Sequence, residues 1–507
     1  MAFIHGPLPQ RLKVLHGSGA VAFGIKDSGF SFFLLPFYNL VLGVDAGVVG
    51  AALATALIVD ALVDPLIGHL SDRTYSRWGR RLPWLYLAPI PLALLWTLLW
   101  SPPFTGTPGF WEIVALAVGV RLLLSACEVP SISLVPELTE DYDERTTLFR
   151  YRFLSGWLGG LLMMVMTFFV FLPTPEAQLR PEGYAEYGLF GAALMALAVI
   201  GSAAGQHRYV AHRPPRKPPP FSLKGAFAEI FDAFREKAFV IFALGGLAAY
   251  VAQGMTFSIT QYVNLYVWQF SDVAFRFFPA VLFISVVLMF LTVGPLHRAW
   301  GKPKTAAIGA LSGLFFYFVP YALLLAGGWP ETGTTVSTVL LFAFLICANT
   351  SSVIAIISAT SMVAEIVEAF EERTGKRAEG TFYSGNWLVQ KCATGLGILL
   401  TSAIVQSLDL APGTPQSDVS QETITRLVWL YMLVATALAL TAEPRTARST
   451  RGRSATTRKR ARQRRRRRSY CRCRKGRSRR AQHNTLKARF RHLACALPSA
   501  SFKPQLI

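Results

Sequence analysis

The chain carries little charge for its length, and this excludes an ordinary water-soluble domain. Only 16% of its 507 residues are Asp, Glu, Lys or Arg, whereas 52% are hydrophobic. A soluble domain usually has about 25% charged residues, which help to cover its surface. A single soluble globule is therefore excluded.

Patterns typical of several functional classes are missing as well. The six cysteines show no spacing typical of a metal site or a disulfide framework. The sequence contains no Gly-rich loop of the kind that binds ATP phosphates, so an ion gradient is the expected energy source. Residues 1–13 lack the apolar core of a signal peptide, and we expect the first spanning helix to direct membrane insertion. We predict neither an enzyme nor a cofactor other than a coupling ion.

The net charge of +22 is confined to the C-terminal end. Residues 443–507 carry 23 Lys and Arg and one acidic residue, whereas residues 1–442 carry 28 of each sign. We interpret this basic tail as a disordered solvated segment without an assigned function. Two alternatives are binding to anionic lipid or nucleic acid, and translation in a shifted frame from Glu443 onward. We expect no nucleic-acid partner.

Apolar segments of membrane-spanning length, about 20 residues each, fill the body of the chain. Twelve segments meet this description: 19–42, 47–70, 83–101, 110–135, 153–173, 187–205, 238–268, 274–294, 305–327, 335–360, 382–406 and 425–442. The longest connection contains the Pro-rich stretch 213–220, which is typical of an extended linker. The pattern predicts an all-α membrane protein with two pseudo-symmetric six-helix bundles, 1–205 and 238–442, joined by a cytoplasmic linker at 206–237.

The distribution of basic residues predicts the orientation of these spans. The loops on one side hold 20 Lys and Arg, and those on the other side hold three. Because basic loops remain in the cytoplasm, we expect both termini to be cytoplasmic, in a bacterial inner membrane and in contact with its lipids. The loops after the second and eighth spans also resemble each other, with Trp78-Gly79 and Trp300-Gly301 each followed by cations. Repeated halves are typical of secondary transporters.

Ionisable residues lie inside the predicted spans, where each costs about 2.5–3.5 kcal/mol near a helix centre. We single out Lys26, Asp27, Asp60, Asp64, Arg121, Glu128, Lys391 and, at the edge of a span, Arg152. Such residues are expected to face a polar cavity and to have partners. Eight together favour a functional over a purely structural interpretation.

Two of these residues, Asp60 and Asp64, are four positions apart and therefore lie on one helical face. Carboxylates this close repel each other in apolar surroundings unless they are protonated or share a cation. Glu128 can supply a further carboxylate, and hard oxygen ligands suit Na⁺ or H⁺. Arg121 or Lys391 can hold the carboxylates when the cation is absent.

The second span and its loop carry a specific pattern. The stretch 60–68 (Asp-Ala-Leu-Val-Asp-Pro-Leu-Ile-Gly) and the loop 76–81 (Ser-Arg-Trp-Gly-Arg-Arg) resemble the melibiose permease-like glycoside–pentoside–hexuronide:cation symporter family of the major facilitator superfamily. Residues 24–27, 128–138, 144–152 and 364–391 fit the same family. The resemblance implies the major facilitator fold and symport of a sugar or glycoside with Na⁺ or H⁺ by alternating access.

The resemblance also implies roles for individual residues. Cation binding falls on Asp60, Asp64, Glu128 and Ser125, with the three carboxylates as metal ligands if the ion is Na⁺. Substrate binding falls on Asp27, Arg152 and Lys391, and beyond the resemblance we add Lys26 and, as an aromatic surface for a sugar ring, Trp387. The loop residues expected to act in conformational change are Asp72, Arg73, Gly79, Arg80 and Arg81. Two positions depart from the family pattern: Glu128 stands in place of an Asp, and Ile132 in place of a Trp that packs against a sugar ring.

Two alternative functions remain open. Related lysophospholipid symporters share the paired Asp motif, so the solute could be a lysophospholipid or another amphiphile. A non-transporting sensor built on a transporter fold is the second alternative. Uptake assays with labelled sugars and with lysophosphatidylcholine distinguish a sugar symporter from an amphiphile symporter. An absence of ion-dependent flux with any solute would favour the sensor.

Overall fold

The computed structural model describes residues 7–139, 141–211, 234–374, 379–408 and 410–438. Within these ranges all regular secondary structure is helical. Most of the predicted linker, residues 212–233, and the basic tail from 443 onward lie outside the described residues. The prediction of an all-α membrane protein is confirmed for the part of the chain described.

Six helical segments make up the first half of the chain, which we label α1 to α6. They are α1 at Gln10–Val41, α2 at Ala46–Arg73, α3 at Leu82–Leu87 continued by Pro89–Trp100, α4 at Phe110–Leu138, α5 at Tyr142–Met166 with a π-helical turn at Thr167–Phe171, and α6 at Glu182–Val210.

The second half of the chain contains six further helical segments, which we label α7 to α12. They are α7 at Lys237–Tyr262 with a π-helical turn at Val263–Val267, α8 at Asp272–Trp300, α9 at Lys302–Leu325, α10 at Thr335–Thr374, α11 at Glu379–Gln406, and α12 at residues 421–438.

Ten of these segments are long and apolar enough to cross a membrane. The other two, α3 and α12, do not meet this criterion among the described residues. α3 is interrupted at Ala88, directly before Pro89, because proline lacks the N–H that would continue the helical hydrogen bonds. α12 is described over 18 residues.

Several helices extend beyond their predicted apolar limits. α1 begins at Gln10 rather than at residue 19, and α10 continues to Thr374 rather than ending at 360. α6 runs to Val210, so five residues of the predicted linker are helical. Hydrophobicity marks only the part of a helix that lies in the lipid, whereas the helix itself can continue into polar residues beyond it.

The packing of α2 determines where the charged residues meet. α2 packs against α4 in its own half and against α11 of the second half. α1 approaches α5 through glycines: a Cβ atom at Gly24 would lie 1.8 Å from the carbonyl oxygen of Gly156. The charged positions of α1, α2, α4, α5 and α11 are thereby brought into one central region.

The two halves also meet at the helix ends that the charge distribution assigns to the outside. Tyr262 of α7 donates a hydrogen bond of 3.0 Å to Oδ1 of Asn39 in α1. The backbone N–H of Gly413 donates to the carbonyl of Leu40 at 2.8 Å. These contacts join the halves at this end of the molecule.

Candidate functional site

Two carboxylates and two cations meet where α2, α4 and α11 pack together. Nζ of Lys391 lies 2.9 Å from Oδ2 of Asp60 and 2.5 Å from Oδ2 of Asp64. Nη1 of Arg121 donates to Oδ2 of Asp60 at 2.9 Å. Oγ of Ser125 lies 3.1 Å and 2.6 Å from Oδ1 of the two carboxylates. With all four side chains ionised, this central cluster is neutral.

Helical spacing explains the arrangement of the central cluster. Asp60 and Asp64 are one turn apart on α2, and Arg121 and Ser125 are one turn apart on α4, so two short polar stripes face each other. Lys391 arrives from α11 in the second half. Its contact with both carboxylates is therefore a link between the halves.

The central cluster has a buried part and a more accessible part. The side chains of Asp60 and Arg121 are 5% and 6% exposed, whereas those of Asp64 and Lys391 are 23% and 24% exposed. A guanidinium is not deprotonated in proteins. The pair of Asp60 with Arg121 is thus a buried, permanently charged ion pair, and the pair of Asp64 with Lys391 is the more exposed of the two.

Glu128 belongs to a second cluster instead. Its Oε1 atom accepts from Nη2 of Arg152 at 3.2 Å, and Nη1 of Arg152 donates to Oγ of Ser131 at 2.6 Å. Among the described residues no group of three His, Cys, Asp or Glu side chains is placed to hold a metal ion. In this structure Glu128 therefore pairs with Arg152 and does not form a three-carboxylate group with Asp60 and Asp64. The cation-binding roles of these residues stay predictions.

Lys26 connects the two clusters electrostatically. Its charge acts on both Glu128 and Asp60. Nζ of Lys26 lies 3.8 Å from Oδ1 of Asp27 and 4.4 Å from the ring centroid of Phe23. The side chain of Asp27 is 59% exposed.

The remaining predicted substrate residues occupy different surroundings. Trp387 lies one turn before Lys391 on α11 and is 47% exposed. Arg152 is buried and holds Glu128 and Ser131 rather than Asp27. The structure thus places these residues near charged clusters, and their contact with a solute stays a prediction.

The predicted conformational loop begins at the end of α2, leads to α3 and contacts the end of α4. Nη2 of Arg81 lies 2.7 Å from Oδ1 of Asp72. Nη2 of Arg80 and Nε of Arg81 lie 3.2 Å and 3.3 Å from Oε1 of Glu137. Gly79 has a φ of +92°, a conformation that glycine adopts without steric cost. The four charged side chains form a network that ties the loop to α4.

Some polar partners were not singled out from the sequence. Glu137 joins the loop network, and its position at the end of the fourth predicted span, on the side of the basic loops, was an available signal. Ser131 gives no comparable signal, because a single serine in an apolar span is common. Arg73, a predicted loop residue, donates to the carbonyl of His69 at 3.4 Å.

Comparisons with known proteins agree with the helical architecture. A family model described as "MFS/sugar transport protein" matches residues 15–443. An uncharacterized symporter of Synechocystis sp. is 27% identical over 479 residues, covering 80% of this chain and 87% of the relative. An isoprimeverose transporter of Lactiplantibacillus pentosus is 37% identical over 145 residues, covering 28% of this chain and 30% of the relative.

A solved structure has the same fold at low identity. The crystal structure of a D-xylose-proton symporter superposes with a TM-score of 0.59 at 13% identity, covering 86% of this chain and 98% of that chain. At this identity the likeness supports the fold alone.

Proposed function

Because the chain belongs to the MFS/sugar transport protein family, and within it to the glycoside–pentoside–hexuronide:cation symporters, we propose that it carries a sugar or glycoside across the membrane together with Na⁺ or H⁺. Members of this family are transporters, so the chain is not an enzyme. It is an integral, multi-pass membrane protein whose cargo is a small-molecule solute. We assign it to a bacterial inner membrane with cytoplasmic termini, from the bias of its basic loops.

The observation that carries this proposal is the contact of Lys391 with Asp60 and Asp64. The contact joins α11 of the second half to α2 of the first half. A cation that binds these carboxylates competes with the ammonium group, because each carboxylate then shares its charge between two cations. Ion binding therefore weakens a link between the halves and shifts the equilibrium between conformations.

The exchange takes place at Asp64 rather than at the fixed pair. Arg121 is buried and permanently charged, so it remains with Asp60. Asp64 and Lys391 are each about a quarter exposed, and an ion arriving through water meets them first. Ser125 adds a hydroxyl oxygen within 2.6 Å of Asp64, which helps to hold H⁺ or Na⁺ there.

The solute binds next to this ion site in the proposal. The exposed carboxylate of Asp27 accepts hydrogen bonds from sugar hydroxyls, and such charge-assisted bonds are stronger than neutral ones. When the charge of Glu128 is neutralised, Arg152 becomes available as a donor. Trp387, exposed on α11, offers an aromatic face for the sugar ring.

Coupling arises because ion and solute favour the same conformation. With both bound, the halves rock about the central region, which requires the outer contacts of Tyr262 and Gly413 to form or break. When only the ion is bound, the residues that bind the solute have no hydrogen-bond partner from it. When only the solute is bound, Lys391 keeps its contact with Asp60 and Asp64. Neither ligand by itself completes the transition efficiently.

The proposal is tested by uptake into proteoliposomes that contain the full chain. Radiolabelled D-glucose, D-xylose and isoprimeverose form a sugar panel, with lysophosphatidylcholine beside it, and each is offered under an inward Na⁺ or H⁺ gradient. We expect accumulation of at least one sugar under one gradient and its loss when an ionophore dissipates that gradient. Accumulation of lysophosphatidylcholine alone would instead support the amphiphile symporter, and no gradient-dependent flux would support the sensor.

A further inference from the structure

A small cavity lies in the second half, apart from both charged clusters. It has a volume of about 40 Å³ and is formed by α7, α8, α9 and α10, with Phe32 of α1 closing it from the first half. None of the described residues that line it is an Asp, Glu, Lys, Arg or His. Its polar groups are amides and hydroxyls, so it suits an uncharged ligand.

Asn264 lines this cavity and carries an unpaired donor. The residue is 3% exposed, and its Nδ2 atom has no hydrogen-bond partner among the described residues. Leaving a buried amide donor unpaired costs free energy, so such groups usually have an explanation in a ligand or in function. Asn264 also lies in the π-helical turn Val263–Val267, which ends α7.

The size and walls of the cavity indicate what fits it. A cavity needs about 10–15 Å³ to hold one water molecule, so this one accepts one or two hydroxyl groups but not a whole sugar ring. Trp268 and Tyr321 provide aromatic surface, against which the C–H groups of a sugar can pack. The edge of a neutral polyhydroxylated ring combines both requirements.

Phe32 makes the cavity sensitive to the separation of the two halves. Its ring lies 5.2 Å, centroid to centroid, from that of Phe257 on α7, and both residues line the cavity. Because Phe32 belongs to the first half, movement of the halves away from each other opens the cavity to the central region. The cavity is then a recess in the wall of the solute pathway.

We propose that this cavity is a second solute subsite, in which the amide of Asn264 donates to a hydroxyl at one edge of a neutral sugar. The inference rests on the proposed function insofar as the solute is a sugar. It adds a neutral recognition element in the second half to the charged residues of the first half, and it assigns Asn264 as a residue that contacts the solute.

The test measures equilibrium binding, without any gradient, of the tritiated sugar panel to the purified full chain. The variant is Asn264→Leu, which keeps the approximate size of the side chain and removes the donor. The matched control is Ser258→Ala, also buried on α7, whose hydroxyl donates to the carbonyl of Gly254 within the same helix. We expect Asn264→Leu to weaken binding about tenfold, the effect of roughly one buried hydrogen bond, and the control to stay within about twofold.

Thermal unfolding without sugar separates this role from a structural one. Because the Asn264 donor has no partner in the protein, the leucine variant should unfold at the same or a higher temperature than the wild type. A lower unfolding temperature with unchanged sugar affinity would overturn the proposal, as would a wild type that binds none of the panel sugars. Binding that depends on Asn264 without gradient-driven uptake would contradict the symport function and leave the subsite intact.

Discussion

The two halves of the molecule carry their polar side chains differently. Of the eight ionisable residues singled out in the spans, seven lie in the first half and Lys391 lies in the second, where Arg276 and Arg426 stand only at span ends. The second half has instead a neutral cavity lined by amides, hydroxyls and aromatic rings. Their helices also differ in burial. Of the most apolar stretch of α1, 72% is buried inside the protein, whereas the corresponding share for α10 is 17%.

This asymmetry indicates a division of tasks between the two halves of the chain. The first half holds charges in fixed pairs, which an apolar environment tolerates only when each charge has a partner. The second half contributes one ammonium group that reaches across to those charges. A transporter needs such a shared contact, because an ion bound to one half affects movement only if it alters an interaction with the other half.

The substitution with the largest expected effect is Asp64→Asn. Asparagine keeps the shape of the side chain but cannot exchange one cation for another, and Lys391 retains its contact with Asp60. We expect gradient-driven accumulation of the transported sugar in proteoliposomes to fall to simple equilibration, with insertion and folding unchanged. Asp418→Asn, the same replacement at an exposed position of the second half, is the control and should transport normally. Concentrative uptake by the Asp64 variant would contradict the ion-site assignment.

A second pair of substitutions compares the fixed ion pair with the link between the halves. Arg121→Leu leaves Asp60 buried with only the shared Lys391, and we expect it to lower the unfolding free energy by about 3 kcal/mol. Lys391→Leu removes a cation from the more exposed side and should cost about 1 kcal/mol. SDS-induced unfolding of the purified variants measures both values.

The double variant Asp60→Asn with Arg121→Leu is the control for this comparison. It removes both charges of the buried pair, so it should recover much of the stability that Arg121→Leu loses. Equal losses for Arg121→Leu and Lys391→Leu would show that the central cluster has no distinct fixed part, and the comparison between its two sides would then be wrong.

Part of this site could be predicted from spacing along single helices. The common face of Asp60 and Asp64 follows from their separation by four residues. In the structure both carboxylates accept hydrogen bonds from Ser125 and form ion pairs with Lys391. Which cation serves which carboxylate could not be predicted, because it depends on how α2, α4, α5 and α11 approach one another. Glu128 illustrates the difficulty: its carboxylate type suited a shared ion site, but Arg152 of α5 lies within reach of it.

Helix continuity shows the same limit of local reasoning. The segment 83–101 is apolar throughout and was predicted as one span, yet Pro89 interrupts it after Leu87. The cavity around Asn264 had no sequence signal, because it is built from four helices of one half and a phenylalanine of the other. Interactions within one turn of helix are predictable, whereas enclosed space is a property of the packed bundle.

The smallest expected effect concerns the outer contact between the halves. Tyr262→Phe removes the hydroxyl that donates to Asn39, and a hydrogen bond of this kind contributes about 1 kcal/mol, or roughly fivefold in an equilibrium. Because the bond exists only while the outer ends are together, its loss should favour their separation. The readout is the rate at which a thiol reagent labels Phe32→Cys, in a background whose native cysteines are replaced by serine, and we expect a rise of about threefold to fivefold.

Tyr266→Phe is the control, since Tyr266 donates to the carbonyl of Thr414 within the second half. Removing that bond does not separate the halves, so labelling should stay unchanged, and equal acceleration by both variants would mean that the hydroxyls stabilise α7 rather than the closed outer end.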